Sequence, residues 1–303
     1  MSDRVKIIYI AGCGRSGSTL LDLVLGTSPN AFSAGQLENV LFFLKESDER
    51  RPDKKTFKDD QGATPDDSAV WGPVKRTLEE ARALVYDPRC PLSVRGLIWS
   101  LLRRKPFYMD HFDDDLLYGS ILQQARQVKG PEVDVIIDSS KNIKRLVSLR
   151  QSSQLDVYVI HLIRDVRGYV YSNAKRGMPW LAALRRWIVL NCAYTLYLPR
   201  AFPASKVMRI SYDRFTEDPP SVLRAINKWA GLKVDETGYL QALAADKSYR
   251  FSGSSMRFRG VPAIARDLSW KRGLNLWRKT VIMTCAGLLN WKWTFDLWLN
   301  INR

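Results

Sequence analysis

Five short apolar runs punctuate the chain, and between them the apolar positions fall at helical spacing. Val5 and Ile7 to Ile10 form the first run. Beyond a glycine-rich turn, Leu20, Leu21, Leu23 and Val24 change to a helical period, so this segment reads strand, loop, helix. Ala31 to Ala34 is a short second strand ending at Gly35, with a helix start over residues 36–41. Val133 to Ile137 has the composition of a buried parallel strand, and Val157 to Ile163 and Lys206 to Ser211 repeat the pattern. Residues 69–86, 116–128 and 180–198 are predicted helical. Residues 46–67 are charged and carry Pro and Gly, which reads as a mobile surface loop. The stretch Arg95 to Lys105 mixes basic and apolar residues; a lid, an acceptor-binding face, a membrane contact and the basic flank of a buried helix all remain open there. Strands alternating with helices predict an α/β fold, a three-layer arrangement whose central parallel sheet is flanked by helices, in one domain spanning residues 1–303.

The first turn carries the chemistry. Gly12 is followed after four residues by Gly17 and then Ser18 and Thr19, nearly the spacing of the triphosphate-binding loop G-x-x-x-x-G-K-[ST]. Ser18 stands where that loop has its lysine, and the cation is Arg15. Backbone N–H groups of such a loop, with the partial positive charge of a helix N-terminus, cradle an anion. Without the lysine the loop suits a phosphate-like ligand that is not a triphosphate, held by amides, two hydroxyls and a guanidinium fork.

Charge and cysteine usage narrow the partners. The formal charge of +16 draws anionic ligands or surfaces without choosing among them. The four cysteines, Cys13, Cys90, Cys192 and Cys285, are widely spaced, so neither a zinc site nor a disulfide framework is suggested. No charged-then-apolar leader precedes Val5, and the expected location is cytoplasmic.

The residues GRSGSTLLDLVLGTSPN resemble the 5′-phosphosulfate loop of sulfotransferases that use 3′-phosphoadenosine 5′-phosphosulfate (PAPS), bacterial members in particular. Three further stretches continue the resemblance in the expected order. Arg164 and Ser172, at a strand end and eight residues later on a helix, match the family's 3′-phosphate motif. Tyr212, in YDRFTEDP, matches the tyrosine near the adenine. Arg257, in SGSSMRFRG, matches a late loop that returns an arginine to the 3′-phosphate, and Trp270 follows it as the family's tryptophan does. The resemblance covers about residues 5–40, 133–175, 206–220 and 252–272, and implies a P-loop-like nucleotide-binding fold with a helical and loop insertion at about 45–130.

It further implies sulfuryl transfer from PAPS to an acceptor hydroxyl or amine, with no metal. The donor-binding residues carried over are Gly14, Arg15, Ser16, Gly17, Ser18, Thr19, Arg164, Ser172, Tyr212 and Arg257. Arg15 is expected at the transferring end of the donor. Lys141, in Asp138-Ser139-Ser140-Lys141 at the end of a strand, resembles the element that faces donor and acceptor; it either stabilises charge on the bridging oxygen or orients the acceptor. The family's general-base glutamate is replaced by Gln36, which cannot accept a proton at neutral pH. Glu38 lies two residues on, about 200° round a helix that began at Gln36, and serves as base only if the helix starts later.

A small-molecule, carbohydrate or lipid-linked acceptor is expected, and no nucleic acid. Two other readings remain: a small-molecule kinase with a degenerate loop, and a non-catalytic basic protein that binds nucleotides or membranes. The aromatic-rich C-terminal segment, about 274–303, is too interrupted by Lys292 and Asp296 to span a bilayer. Peripheral contact through an interfacial helix and simple docking on the domain both stay open.

Overall fold

The structure is a computed structural model and describes residues 4–38, 40, 58–81, 113–245, 249–250 and 263–294. In chain order its elements are β1 (Val5–Gly12), α1 (Ser18–Leu25), β2 (Ala31–Gly35), α2 (Trp71–Glu80), α3 (Asp114–Lys129), β3 (Val135–Asp138), α4 (Ile143–Leu149) and β4 (Leu155–Ile163). There follow α5 (Val166–Ala174), α6 (Trp180–Ala201), β5 (Val207–Ser211), α7 (Tyr212–Glu217), α8 (Pro219–Ala230), α9 (Tyr239–Ala245), α10 (Trp270–Gly273) and α11 (Leu276–Thr294).

All five strands are parallel, in the order β2-β3-β1-β4-β5. Side chains alternate faces along a strand, so β1 divides its apolar residues between two cores. Ile7, Tyr9 and Ala11 pack with Phe32, Ile136 and Val159 under α2, α3, α4 and α6, represented by Trp71, Tyr118, Leu146 and Tyr194. Ile8 and Ile10 pack with Ile137, Ile160 and Ile210 under α1 and α8, with Leu21, Val24, Leu223 and Ile226. Burial on both faces is why these strands are nearly continuous apolar runs. A third core joins α5, α6, α10 and α11 through Tyr169, Trp187, Trp270, Ile282 and Trp293.

The expected three-layer architecture is therefore present. Residues 58–67, expected as part of a mobile surface loop, are instead anchored. Asp59 is buried and accepts hydrogen bonds from the Gln61 and Ala63 amides at 2.9 Å and the Ser68 hydroxyl at 2.8 Å, and Asp60 pairs with Arg250 at 2.9 Å. Charge here fixes the chain, because a buried carboxylate holds its place only when its lone pairs are filled. Residues 46–57 and the basic stretch 95–105 lie outside the described residues.

Chain order puts β2 and β3 on one side of β1 and β4 and β5 on the other. The carboxyl ends of the strands around that reversal open a crevice, the place where open parallel sheets take ligands.

Candidate active site

All five strands deliver side chains to one cavity of about 840 Å³ at those carboxyl ends. After β1 comes the glycine loop, after β2 Gln36 and Glu38, after β3 Ser140 to Asn142, after β4 Arg164 and after β5 Tyr212. Lining the cavity among the described residues are six Arg or Lys side chains, Arg15, Lys141, Lys144, Arg164, Arg176 and Arg186, against two carboxylates, Glu38 and Asp267. Such an imbalance in a concave site concentrates anions.

The loop is shaped by its glycines. Gly12 has φ 141°, and a side chain there would meet the Leu162 carbonyl oxygen at 2.4 Å. Gly17 has φ 89°, and a side chain there would run into the Tyr212 ring at 2.2 Å. Left-handed backbone at these points turns the chain tightly from β1 into α1. No side chain caps the N-terminus of α1, so its first N–H groups and the dipole behind them face the cavity.

Arg164 is the buried cation of the site. Its guanidinium lies 4.7 Å from the Tyr212 ring centroid, donates to the Arg15 carbonyl at 3.1 Å and pairs with Asp267 at 2.8 Å. Tyr212 thus packs against Gly17 on one side and Arg164 on the other. The Arg15 backbone is left-handed, φ 75°, and its Nε donates to the Ser172 hydroxyl at 3.3 Å. The side chain of Arg15, expected at the transferring end of the donor, thus reaches toward α5, and its backbone carbonyl meets Arg164. Burial and the like charges of Arg176 and Arg164 lower its pKa below the usual guanidinium range. It stays a cation, in a crowd that an anion would relieve.

The opposite wall holds Lys141 and Glu38. Lys141 sits in left-handed backbone, φ 61°, anchored by its carbonyl, which accepts from the Tyr194 hydroxyl at 2.8 Å. Loss of hydration pushes its ammonium down to about 8, against the upward pull of Asp22, Asp138 and Glu38 and with a further push from Arg15. Asp22 itself is buried on α1 and accepts from Ser33 at 2.7 Å and Ser139 at 3.2 Å; burial raises it to about 6.

The helix after β2 starts at Leu37, following left-handed Gly35. Gln36 therefore precedes the helix, the 200° separation does not apply, and both Gln36 and Glu38 line the cavity. Glu38 accepts from the Asn142 side-chain amide, and its own N–H donates to the Ser140 hydroxyl at 3.0 Å. Of the remaining expected residues, Gly14, Gly17, Ser18 and Thr19 line the cavity, Ser16 is buried behind it, and Arg257 lies outside the described residues. His161 is a core residue as its mid-strand position suggests: it lies 3.2 Å from the Asn191 amide oxygen, and burial pushes it down to about 3.

Sequence reasoning missed Asn142, Arg176, Arg186 and Asp267. The pairing of Asp267 with Arg164 spans 103 residues, and no local pattern announces it.

A glycine loop joining the central strand of a parallel sheet to a helix, with cationic side chains gathered at the strand ends, is the architecture of the P-loop-like class of α/β proteins. The chain belongs to the Sulfotransferase family, whose sequence profile matches residues 8–236. Among solved structures it is similar to the sulfotransferase domain of the olefin synthase of Synechococcus PCC 7002, with 21% identity, TM-score 0.51 and coverage of 94% of this chain and 96% of that one. It is also similar to the sulfotransferase domain from the curacin biosynthetic pathway, with 17% identity, TM-score 0.54 and coverage of 93% and 97%. At these identities the likeness speaks to the fold. A search of curated proteins finds no match.

Proposed function

We propose that the protein transfers a sulfuryl group from PAPS to an acceptor hydroxyl or amine. The observation that carries the reading is the convergence of Arg164, Ser172, Arg15 and Tyr212 at one end of the cavity, with Lys141 and Glu38 on the wall across from it. The first group would take the 3′-phosphate and adenine, and the loop amides with Ser18 and Thr19 the 5′-phosphate. The cavity has the volume for a nucleotide with an acceptor beside it.

In the reaction a bond from sulfur to the acceptor oxygen or nitrogen forms as the bond from sulfur to the bridging oxygen breaks, and adenosine 3′,5′-bisphosphate leaves with negative charge collecting on its 5′-phosphate. Lys141, the loop amides and the α1 N-terminus stabilise that charge. Glu38 takes the proton the acceptor sheds as its oxygen bonds to sulfur. The rest is positioning, as in phosphoryl transfer.

Incubation with labelled PAPS and a panel of hydroxyl and amine acceptors tests the reading. Glu38→Gln should abolish transfer, by roughly two to four orders of magnitude, while leaving affinity for adenosine 3′,5′-bisphosphate unchanged. Gln36→Glu should not restore it in that background. Normal turnover in Glu38→Gln would remove Glu38 from the chemistry.

Asp267 makes a second point. Burial pulls its carboxyl upward, but hydrogen bonds from Ser269 and Arg164 outweigh this and hold it below the usual range. An anionic carboxylate occupies one arm of the Arg164 fork, so a 3′-phosphate must share or displace it. Asp267→Asn should tighten bisphosphate binding, by roughly threefold to tenfold on the scale of partly exposed charge pairs, as read by calorimetric titration. Weaker binding would mean that Asp267 serves to orient Arg164.

A further inference from the structure

Helix α11 carries large apolar side chains on two opposite sides. At 100° per residue, Ile282, Ala286, Asn290 and Trp293 form its buried side. Asn290 fixes that side: its side-chain oxygen accepts from the Val166 amide at 2.8 Å and its amide donates to Asp165 at 3.3 Å. Trp293 packs tilted against Trp187, with ring centroids 5.3 Å apart. The helix is therefore keyed onto the start of α5 and cannot roll.

Its outer side carries Trp277, Leu288 and Trp291 within an arc of about 60°, with Leu288 88% exposed. Trp277 meets Trp180 edge to face at 5.4 Å, which extends the patch onto the first turn of α6, where Leu181 is also exposed. Among the described residues, every large hydrophobic side chain counted as exposed, Leu181, Leu276, Trp277, Leu288 and Trp291, belongs to these two helices. Large exposed apolar side chains gathered on one side of two adjoining helices mark an interaction site.

Charge identifies the neighbour. Residues 268–294 contain five Lys or Arg and no Asp or Glu, and residues 166–212 contain eight Lys or Arg and no Asp or Glu. Arg278, Lys292, Lys271, Arg272 and Arg185 are all exposed. A second copy of the same face would set cation against cation. Indole rings, an aliphatic centre and a basic surround are instead the composition that seats a helix at the headgroup level of an anionic bilayer.

We propose that the outer face of α11, with the first turn of α6, docks this protein on membranes bearing anionic lipid. Along α6, Leu181 is nine residues, or about 14 Å, from Leu190, which lines the cavity. The docking itself is independent of the reaction assigned above.

Sedimentation of the full chain with phosphatidylcholine vesicles, with and without phosphatidylserine, tests it. Binding is expected to the anionic vesicles, to weaken with salt, and to fall about tenfold or more when Trp277, Leu288 and Trp291 are all replaced by Ser. Arg278→Glu with Lys292→Glu should weaken it too while leaving the apolar face intact. Unchanged melting temperatures certify that these surface variants are folded. Failure of the wild type to sediment with anionic vesicles, or undiminished binding by the triple variant, overturns the proposal. So does a dimer that the triple variant converts to monomer, because the face then belongs to a second copy.

Discussion

Arg164→Ala is expected to abolish the rise in melting temperature that adenosine 3′,5′-bisphosphate confers on the wild type. Arg164 is buried, packed on Tyr212 and held by the Arg15 carbonyl. Its fork is thus oriented before any ligand arrives, and little ordering entropy is spent on binding. Removing it leaves a phosphate dianion with Arg15 and Ser172 but without its buried fork, a loss of about 2–4 kcal/mol by the scale of buried charge pairs. That corresponds to roughly 30-fold to 1,000-fold in affinity. Ser172→Ala removes one neutral hydroxyl and should cost about 1 kcal/mol. An unchanged melting shift in Arg164→Ala would dismiss the assignment of the 3′-phosphate to this end of the cavity.

Lys141→Ala should lower turnover by about 10²- to 10³-fold, the scale for losing one donor aimed at developing charge. Its pH behaviour gives the independent signature. Burial pushes Lys141 down to about 8 in the free protein, below its ordinary value, so folding disfavours the charged form. As pH rises through about 8 the ammonium is lost, that penalty is relieved, and the protein's own stability rises toward the ordinary lysine range. Function runs the other way. Charge stabilisation needs the ammonium, so kcat/KM should fall as pH passes about 8, and the bisphosphate-induced melting shift should shrink because binding must then take up a proton. The residual activity of Lys141→Ala should lack that alkaline limb. A limb that persists in the variant would assign it to another group.

The fold was legible because each strand is a buried apolar run followed by polar or glycine residues, and the parallel order follows from the helices between them. Arg164, Ser172 and Tyr212 were singled out by their resemblance to sulfotransferase motifs, and the three line one cavity because each lies on a segment leaving a strand. Long-range partners were not. Asp267 meets Arg164, and Arg186 reaches the cavity, only because the segment before α10 and α6 fold back over the strand ends, while Arg176 comes from the turn after α5. The position of Glu38 turned on one residue of helix start, set by left-handed Gly35, a boundary that pattern reasoning rarely fixes. Asp59 looked like one charge among many in a solvated loop, and burial made it that loop's anchor. The outward face of α11 was visible as a run of tryptophans; which of them point away from the core was settled by Asn290 and Trp293.

Calorimetric titration with adenosine 3′,5′-bisphosphate, adenosine 5′-monophosphate and ATP with Mg²⁺ tests the central claim most directly. The site assigned here predicts one bisphosphate per chain, binding weaker by roughly 30-fold or more for the monophosphate that lacks the group held by Arg164, and no appreciable ATP binding, since the loop has Ser18 where a triphosphate loop has lysine. Tight binding of ATP with Mg²⁺ and none of the bisphosphate would contradict the sulfotransferase reading and establish a kinase-like site in its place.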